Sequence, residues 1–568
     1  MSKKAKIVII LAGIILFHLM SNYIWLQNDT TYLIHDSHHH FLFSYTVYDV
    51  MKEGMSPLFN DNLRFFQQRR WHGVFVQYCT APFYFLFGAD QDSGVMINST
   101  IFFVILILST YGIGKTFSNE QGGVLSAFMV SMYPLIFNHL KVYMLDLPLT
   151  SMVALSVYLL MRTDNFSKRV MCLLFAISFA FGILTKVNCL LFVGGPLLYV
   201  LLQLFLSKQY RNNRVYKNLF ICVLLVSLLS FSFLFFKWKD VLSRIYGSSW
   251  LNLAYFPYRS LTEGIFAQCA RALQFIGWSI AELSNYSVSV FFFIIFLYSL
   301  INRGKAKHMH DIILFIWILL PLAVLAIVFR YPNDARYLMP ILPPIAIISA
   351  RGIVNIKQTL LRMVVLSLVV VFGCIQYFAI SFGIPLKSDN KQIESLRHIL
   401  SIFNGSLSGI VLMPYQIPIV YRNDQDNFSY PIDRKWPYKR IIETISKNKT
   451  KSNELKYIFF VDIIPEIYDP LNYLFEKDRL PFGVRYNSIA EEFNYEGRKT
   501  RIDDINKYAY VALLDKPDKE NIDSFIRELI TTQRNVIFNN RDGRWKQIDA
   551  IDFHEDNKLY IFKNNSNL

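Results

Sequence analysis

Charged residues are scarce in this chain: Lys, Arg, Asp and Glu make up 18% of its 568 residues, whereas an ordinary soluble domain carries about a quarter. Cysteine is also rare. The six cysteines show no metal-binding spacing and the last of them is Cys374, so the C-terminal third must fold without disulfides. No internal repeat or low-complexity segment stands out. This composition excludes a disordered, collagen-like, coiled-coil or small disulfide-rich protein.

Long apolar runs are abundant and are confined to residues 1–385. About twenty apolar residues are enough to cross a bilayer core of about 30 Å, and about eleven such segments follow one another. They are 7–26, 95–114, 122–140, 147–161, 170–185, 188–206, 218–236, 286–302, 312–330, 337–350 and 363–384. Residues 386–568 instead have the composition of a soluble domain. The sequence therefore predicts a polytopic α-helical membrane domain, 1–385, followed by a soluble domain, 386–568.

The formal net charge of +16 comes almost entirely from short loops on one side of the predicted spans. With a cytoplasmic N-terminus, the first lysines and five inner loops hold 17 Lys and Arg against three acidic residues, which is +14 of the total. Those loops are 115–121, 162–169, 207–217, 303–311 and 351–362. This is the positive-inside pattern of a membrane protein rather than a nucleic-acid-binding surface. We therefore expect a plasma (inner) membrane protein with extracytoplasmic loops 27–94 and 237–285.

We expect the C-terminal domain to lie on the same, extracytoplasmic side of the membrane as those two loops. Gly409–Met413, Tyr457–Val461 and Tyr508–Leu514 have the pattern of buried strands. Ile522–Thr531 is predicted as a helix, followed by a further strand near Val536, and this alternation predicts a small α/β domain. In the outer loops, Trp71–Phe87 and Phe266–Leu283 are amphipathic stretches that we expect to lie along the membrane surface.

Ionisable residues at the outer ends of the predicted spans are the main indication of function. Asp36 follows the first span, Asp146 begins the fourth, Lys186 separates the fifth and sixth, and Arg336 precedes a proline-containing span. Charges at this depth cost a few kcal/mol unless they are paired or hydrated, so they favour a site. A carboxylate can take a proton from an acceptor hydroxyl, and Lys or Arg can hold an anionic leaving group such as a lipid phosphate.

Four features give the chain a family resemblance. They are the acidic residue in a long first loop, Tyr143-Met-Leu-Asp146-Leu-Pro148, Gly182-Ile-Leu-Thr185-Lys186, and Arg336-Tyr337-Leu-Met-Pro340. In these features the chain resembles the GT-C membrane glycosyltransferases that use polyprenyl-phosphate sugars, namely the protein O-mannosyltransferase and aminoarabinose transferase group.

The resemblance implies roles for the matching residues. Asp36 matches the catalytic base and Asp146 a second acidic residue near the centre. Lys186 and Arg336, with the adjacent Tyr337, match positions near the donor phosphate. A sugar would then pass from a polyprenyl-phosphate donor to a hydroxyl or amine of an extracytoplasmic acceptor (a glycolipid, a cell-wall polymer or a protein), with inversion at the anomeric carbon.

The chain departs from the family pattern at two places, and the second leaves one phosphate ligand undetermined. Ser37 follows Asp36 where the family usually has Asp-Glu. About thirty residues later the family has a cation followed by two prolines, whereas this chain has Arg69-Arg70-Trp71-His72. Arg70 and His72 are therefore the two candidates for that ligand, and membrane headgroup contacts are the alternative for the arginines.

Structural interpretations stand beside these functional ones. Asp146, two residues before Pro148, fits a helix N-cap. Lys186 fits a lysine that extends its amine to the membrane interface, and Arg336 fits a partner of Asp334. The run of histidines offers His38 and His40 as ligands of a divalent metal, with a polar surface as the alternative.

Two other classes of function compete with an enzyme. A transporter or lipid flippase would place ionisable groups near the bilayer midplane, often within internal repeats, and this chain shows neither. A receptor would need an output domain, but the longest inner loop has only about twelve residues. A membrane glycosyltransferase is therefore the leading prediction.

Overall fold

The computed structural model describes residues 2–30, 33, 35–53, 74–206, 212–246, 287–301, 308–328, 335–382, 437–447, 456–460, 482–486, 509–514, 543–553 and 557–565, with scattered positions in 269–283 and 471–538. Sixteen helices are labelled here in chain order. They are α1 Lys3–Asn28, α2 His35–Glu53, α3 Phe75–Phe87, α4 Gln91–Ile97, α5 Phe103–Phe117, α6 Glu120–Ser131, α7 Pro134–Asn138, α8 Asp146–Arg162, α9 Arg169–Thr185, α10 Cys189–Leu206, α11 Asn213–Tyr246, α12 Val290–Ile301, α13 His308–Val328, α14 Leu342–Val354, α15 Thr359–Phe382 and α16 Tyr438–Lys447. A π-helix, Asn98–Phe102, joins α4 to α5, and a 3₁₀ helix, Ala335–Ile341, leads into α14.

The helical class predicted for the membrane part is confirmed. Six of the described helices are long and apolar enough to cross a membrane, and three shorter apolar helices accompany them. Every predicted span contains a helix, but the span predicted at 122–140 is not continuous. It divides into α6 and α7, because Pro134, the first residue of α7, cannot continue the helix that precedes it. Residues 139–145 then run to α8 without helical structure.

Small residues let the central helices of the membrane part approach closely. A Cβ built on Gly114 of α5 would lie 3.1 Å from Cα of Gly123 and 2.5 Å from Oγ of Ser126, both in α6. Such contacts are typical of membrane helices, where close backbone packing replaces much of the hydrophobic driving force. α14 packs against both α5 and α6, and its Leu342 is fully buried. The core of the membrane part therefore lies among α5, α6, α8 and α14.

The described C-terminal residues form a five-stranded mixed sheet. The strands are β1 Lys456–Phe460, β2 Phe482–Tyr486, β3 Tyr510–Leu514, β4 Trp545–Phe553 and β5 Asn557–Asn564, in the spatial order β2-β1-β3-β5-β4. β1 pairs in parallel with β2 and β3, whereas β5 runs antiparallel to β3 and β4. α16 packs its buried Ile441 and Ile445 into the same hydrophobic core as the sheet.

The strands predicted at Tyr457–Val461 and Tyr508–Leu514 correspond to β1 and β3. The strand predicted near Val536 is wrong, because positions 533–535 and 537–538 are helical. The strand of that region is instead β4. The sequence did not predict it, because the polar residues Lys546, Gln547 and Asp549 interrupt the apolar pattern. Gly409–Met413 and positions 522–530 lie outside the described residues.

By its internal contacts the chain groups into two compact units. One holds 1–29, 43–251 and 255–432, and the other holds 30–42, 252–254 and 433–568. The division of the chain at residues 385 and 386 remains a prediction. The residues treated below belong to the first unit unless stated otherwise.

Candidate active site

The centre of the candidate site is the irregular segment 139–145 between α7 and α8. All seven of its residues are buried. Buried backbone that is neither helix nor strand must find hydrogen-bond partners elsewhere, and in a membrane protein water does not supply them freely. The partners of this segment show how its shape is fixed.

Two buried asparagines bind the backbone carbonyls of the segment. Nδ2 of Asn22 in α1 donates to the carbonyl of Leu140 at 2.9 Å and to Oγ of Ser99 at 2.7 Å. Nδ2 of Asn98 donates to the carbonyl of Val142 at 2.8 Å and to that of His139 at 3.3 Å. Asn98 is the first residue of the π-helix, a type of distortion that often occurs at functional sites.

Side chains of the segment itself are held from two further directions. The hydroxyl of Tyr143 lies 2.7 Å from Oγ1 of Thr80 in α3. Nζ of the buried Lys141 donates to Oγ of Ser381 in α15 at 2.7 Å and lies 5.4 Å from the ring centroid of Trp25 in α1. The segment is therefore a rigid connection that fixes where α8 begins.

Asp146 is the first residue of α8 and forms a buried ion pair with Lys186. Nζ of Lys186 donates to Oδ1 of Asp146 at 2.7 Å, and the two side chains are only 8% and 3% exposed. Lys186 directly follows α9 in an extended conformation that ends that helix. The N-cap interpretation of Asp146 is wrong, because the cap is Leu145 and no side chain caps the helix. The interpretation of Lys186 as an interface lysine is also wrong, because its amine is buried.

Arg336 and Tyr337 join this pair from the 3₁₀ helix. The Tyr337 ring centroid lies 5.2 Å from Nζ of Lys186 and 5.8 Å from the guanidinium carbon of Arg336. Arg336 is also within electrostatic range of Asp146. Four of the residues singled out in the sequence thus lie together, and three separate parts of the chain supply them.

His139 belongs to the same cluster, and the sequence did not single it out. Its ring is fully buried and interacts electrostatically with Asp146, Lys186 and Arg336. Nδ1 of His139 lies 2.8 Å from the carbonyl oxygen of Leu135. The polar residues Asn138, His139 and Lys141 at the end of an apolar run, just after a proline, were the signal that could have identified it.

The remaining predicted site residues belong to the second compact unit or lie outside the described residues. Asp36 is an exposed residue in the first turn of α2, where His38 is buried and His40 is half-buried, and all three belong to the second compact unit. Among the residues that the structure describes, no group of three or more His, Cys, Asp and Glu side chains could hold a metal ion. Arg70, His72 and Asp334 lie outside the described residues.

Residues 71–236, less than half of the chain, match a sequence family described as dolichyl-phosphate-mannose-protein mannosyltransferase. This range includes the Asp146–Lys186 pair and His139. No curated protein matches the chain by sequence.

Solved structures of membrane glycosyltransferases superpose on this chain. ArnT from Cupriavidus metallidurans, in the apo state, superposes with a TM-score of 0.57 at 10% identity, over 99% of this chain and 98% of that one. Archaeal oligosaccharyltransferase AglB from Archaeoglobus fulgidus superposes at 0.50 with 11% identity, over 90% and 69%. Arabinofuranosyltransferase AftD from Mycobacteria also superposes at 0.50 with 11% identity, over 99% and 42%.

The chain therefore shares the fold of these solved membrane glycosyltransferases. The family match across the Asp146–Lys186 pair is a second, local likeness to a glycosyltransferase family.

Proposed function

We propose that this protein is a membrane glycosyltransferase, which moves a sugar from a polyprenyl-phosphate donor to a hydroxyl or amine of an extracytoplasmic acceptor. The observation that carries the proposal is the cluster of the buried Lys186 and Asp146 with the half-buried Arg336, which combines two cations with one carboxylate. Cations placed within a membrane domain favour an anionic ligand. A lipid phosphodiester carries one negative charge and is a ligand of that kind.

The solved relatives support the same donor class. ArnT from Cupriavidus metallidurans has been determined bound to undecaprenyl phosphate, with a TM-score of 0.54 to this chain. The AglB structure from Archaeoglobus fulgidus contains a dolichol-phosphate. Both lipids carry a phosphate at the end of a polyprenyl chain. A cationic cluster in a membrane domain is suited to bind such a phosphate.

In the proposed reaction, the acceptor oxygen or nitrogen attacks the anomeric carbon of the donor as Asp36 removes its proton. The bond between that carbon and the phosphate oxygen breaks, and the configuration inverts. The leaving lipid phosphate keeps the electron pair of the broken bond, and Lys186 and Arg336 stabilise its charge. Asp146 holds the amine of Lys186 in place, and the Tyr337 ring lies against both cations.

The proposed orientation follows from the basic loops. The N-terminus is cytoplasmic, and the reaction takes place at the outer face, where Asp36 follows the first span. Arg70 and His72 stay the candidates for a further phosphate ligand, and His38 and His40 stay the candidates for a metal.

Loss of the proposed base tests the reaction. We expect Asp36→Asn to lower the transfer of radiolabelled sugar from polyprenyl phosphate, in membranes that contain the chain, by about 100-fold or more, because general base catalysis typically contributes about 10²–10⁴-fold. Asp164→Asn is the matched control, since Asp164 is 59% exposed in a predicted inner loop. Equal transfer by the Asp36→Asn variant and the wild type would remove Asp36 from the mechanism.

A further inference from the structure

His139 supplies the one imidazole ring in the described part of the cluster, and the proposed reaction does not yet use it. Asp146 approaches it from the start of α8, Lys186 from the end of α9, and Arg336 from the 3₁₀ helix. Its ring has no solvent exposure.

The hydrogen bonds of the ring determine which nitrogen is available. A backbone carbonyl only accepts, so Nδ1, at 2.8 Å from the Leu135 carbonyl oxygen, must carry a hydrogen. In the neutral ring Nε2 is then a bare acceptor. Nε2 is buried and has no hydrogen-bond partner among the described residues. Buried polar nitrogens are nearly always satisfied, so this one points to a ligand.

The charges of the reaction indicate what that ligand is. The donor is a phosphodiester with one negative charge. The leaving lipid phosphate is a monoester, whose second ionisation has a pKa of about 6, so it carries close to two negative charges near neutral pH. The reaction therefore adds a negative charge at the phosphate, which a group that can become a cation would match.

We propose that Nε2 of His139 takes up a proton from solvent and donates a hydrogen bond to the lipid phosphate, so that His139 is a third, pH-dependent cation of the donor site. The inference rests on the proposed function, because it assumes that lipid phosphate occupies the cluster. Histidine suits this role since its charge changes between about pH 5 and 8.

Two amide substitutions separate this role from a structural one. The amide nitrogen of Asn can replace Nδ1, and that of Gln can replace Nε2. His139→Asn therefore keeps the bond to the Leu135 carbonyl, whereas His139→Gln keeps a donor toward the phosphate. Neither variant titrates. The probe is undecaprenyl phosphate, and the readout is its dissociation constant for the detergent-solubilised full chain, obtained from thermal stabilisation between pH 5.5 and 8.5.

We expect His139→Asn to bind about tenfold more weakly than the wild type at pH 5.5, as loss of a charge-assisted hydrogen bond predicts, with the difference vanishing by pH 8.5. His139→Gln should lose less at pH 5.5 and bind at least as well as the wild type at pH 8.5. Because the probe also titrates in this range, the ratio of variant to wild type at each pH is the quantity compared.

The opposite pattern overturns the inference: His139→Asn binds like the wild type at every pH, and His139→Gln is weaker throughout. Equal pH profiles for all three proteins would overturn it as well. If undecaprenyl phosphate binds none of the proteins, including the wild type, the donor class itself is wrong, and this outcome is distinct from the other two.

Discussion

At the scale of single residues, the Asp146–Lys186 pair is the strongest feature of the site. A buried ion pair gains little net stability, but removing one partner leaves an uncompensated buried charge. Stability alone therefore does not explain why the chain has this pair. Its position, next to Arg336 and His139, is consistent with a pair that sets the orientation of the Lys186 amine.

A double-mutant cycle tests that account. Asp146→Asn and Lys186→Met should each lower the free energy of unfolding by about 3–5 kcal/mol, and the double variant should recover most of that loss because neither partner of the pair is left without the other. The double variant should nevertheless lose binding of undecaprenyl phosphate. Thermal unfolding in detergent and lipid binding are the two measurements.

The control cycle uses Asp164 and Lys168, an exposed pair with N···O 3.6 Å and both side chains 59% exposed. Its coupling energy should be within about 1 kcal/mol of zero, as for most surface pairs. Strictly additive losses at Asp146 and Lys186, or full lipid binding by their double variant, would contradict the role assigned to the pair.

The sequence predicted part of the site at this scale, for a physical reason. Isolated charges in apolar surroundings are conspicuous, and so Asp146, Lys186 and Arg336 were visible. His139 was not, because it falls within a run that has the composition of a span. Only the break at Pro134 exposes it as part of an irregular segment.

At the scale of elements, the segment 139–145 depends on helices that are distant in sequence. Asn22 and Asn98 donate to its carbonyls across separations of 118 and 44 residues. Such a segment could not be predicted from local patterns, because its conformation is stabilised by tertiary contacts. The regular helices around it could be, since their apolar runs match the bilayer thickness.

We therefore expect Asn98→Leu to disturb the site, although Asn98 is not one of the residues of the cluster. The substitution leaves the carbonyls of Val142 and His139 without their donor, which costs about 1–3 kcal/mol. We expect a lower melting temperature and weaker binding of undecaprenyl phosphate, because the start of α8 is no longer fixed.

Thr100→Val is the matched control two residues along the same π-helix. Its hydroxyl donates to the carbonyl of Met96 at 2.7 Å, a bond within its own helical segment. Loss of that hydrogen bond in the Thr100→Val variant should leave the binding of undecaprenyl phosphate unchanged. If the two variants behaved alike, the hydrogen bonds of Asn98 to the segment would have no special role.

At the scale of the whole molecule, the charge distribution makes a prediction about orientation. Among the described loops, Lys3 and Lys115 both pair with Glu120, which places the N-terminus beside the loop between α5 and α6. Arg351, in the last turn of α14, pairs with Asp311 in the first turn of α13. These basic groups lie at predicted inner ends of the spans.

A topology reporter tests this arrangement. Alkaline phosphatase is active only outside the bacterial cytoplasm, so its fusion after Leu568 should be active and its fusion after Lys357 inactive. Green fluorescent protein at the same two positions should give the opposite result. The reverse pattern would invert the orientation and place Asp36 on the cytoplasmic side.

The overall architecture was predictable because membrane spans and basic loops are properties of composition. The C-terminal sheet was only partly predictable. β1 and β3 are apolar runs, whereas β4 alternates polar residues and contains an irregularity between Gln547 and Asp549. Pairing with β5 stabilises β4 as a strand, although the residues of β4 alone do not predict one.

The central claim is that the cluster of Lys186, Arg336, Asp146 and His139 receives a lipid phosphate. The most direct measurement is a cryo-electron microscopy map of the full chain in nanodiscs with undecaprenyl phosphate. We predict phosphate density within hydrogen-bonding distance of Lys186 and Arg336, and its absence in the Asp146→Asn, Lys186→Met double variant. Lipid phosphate resolved elsewhere, with this cluster unchanged, would contradict the account.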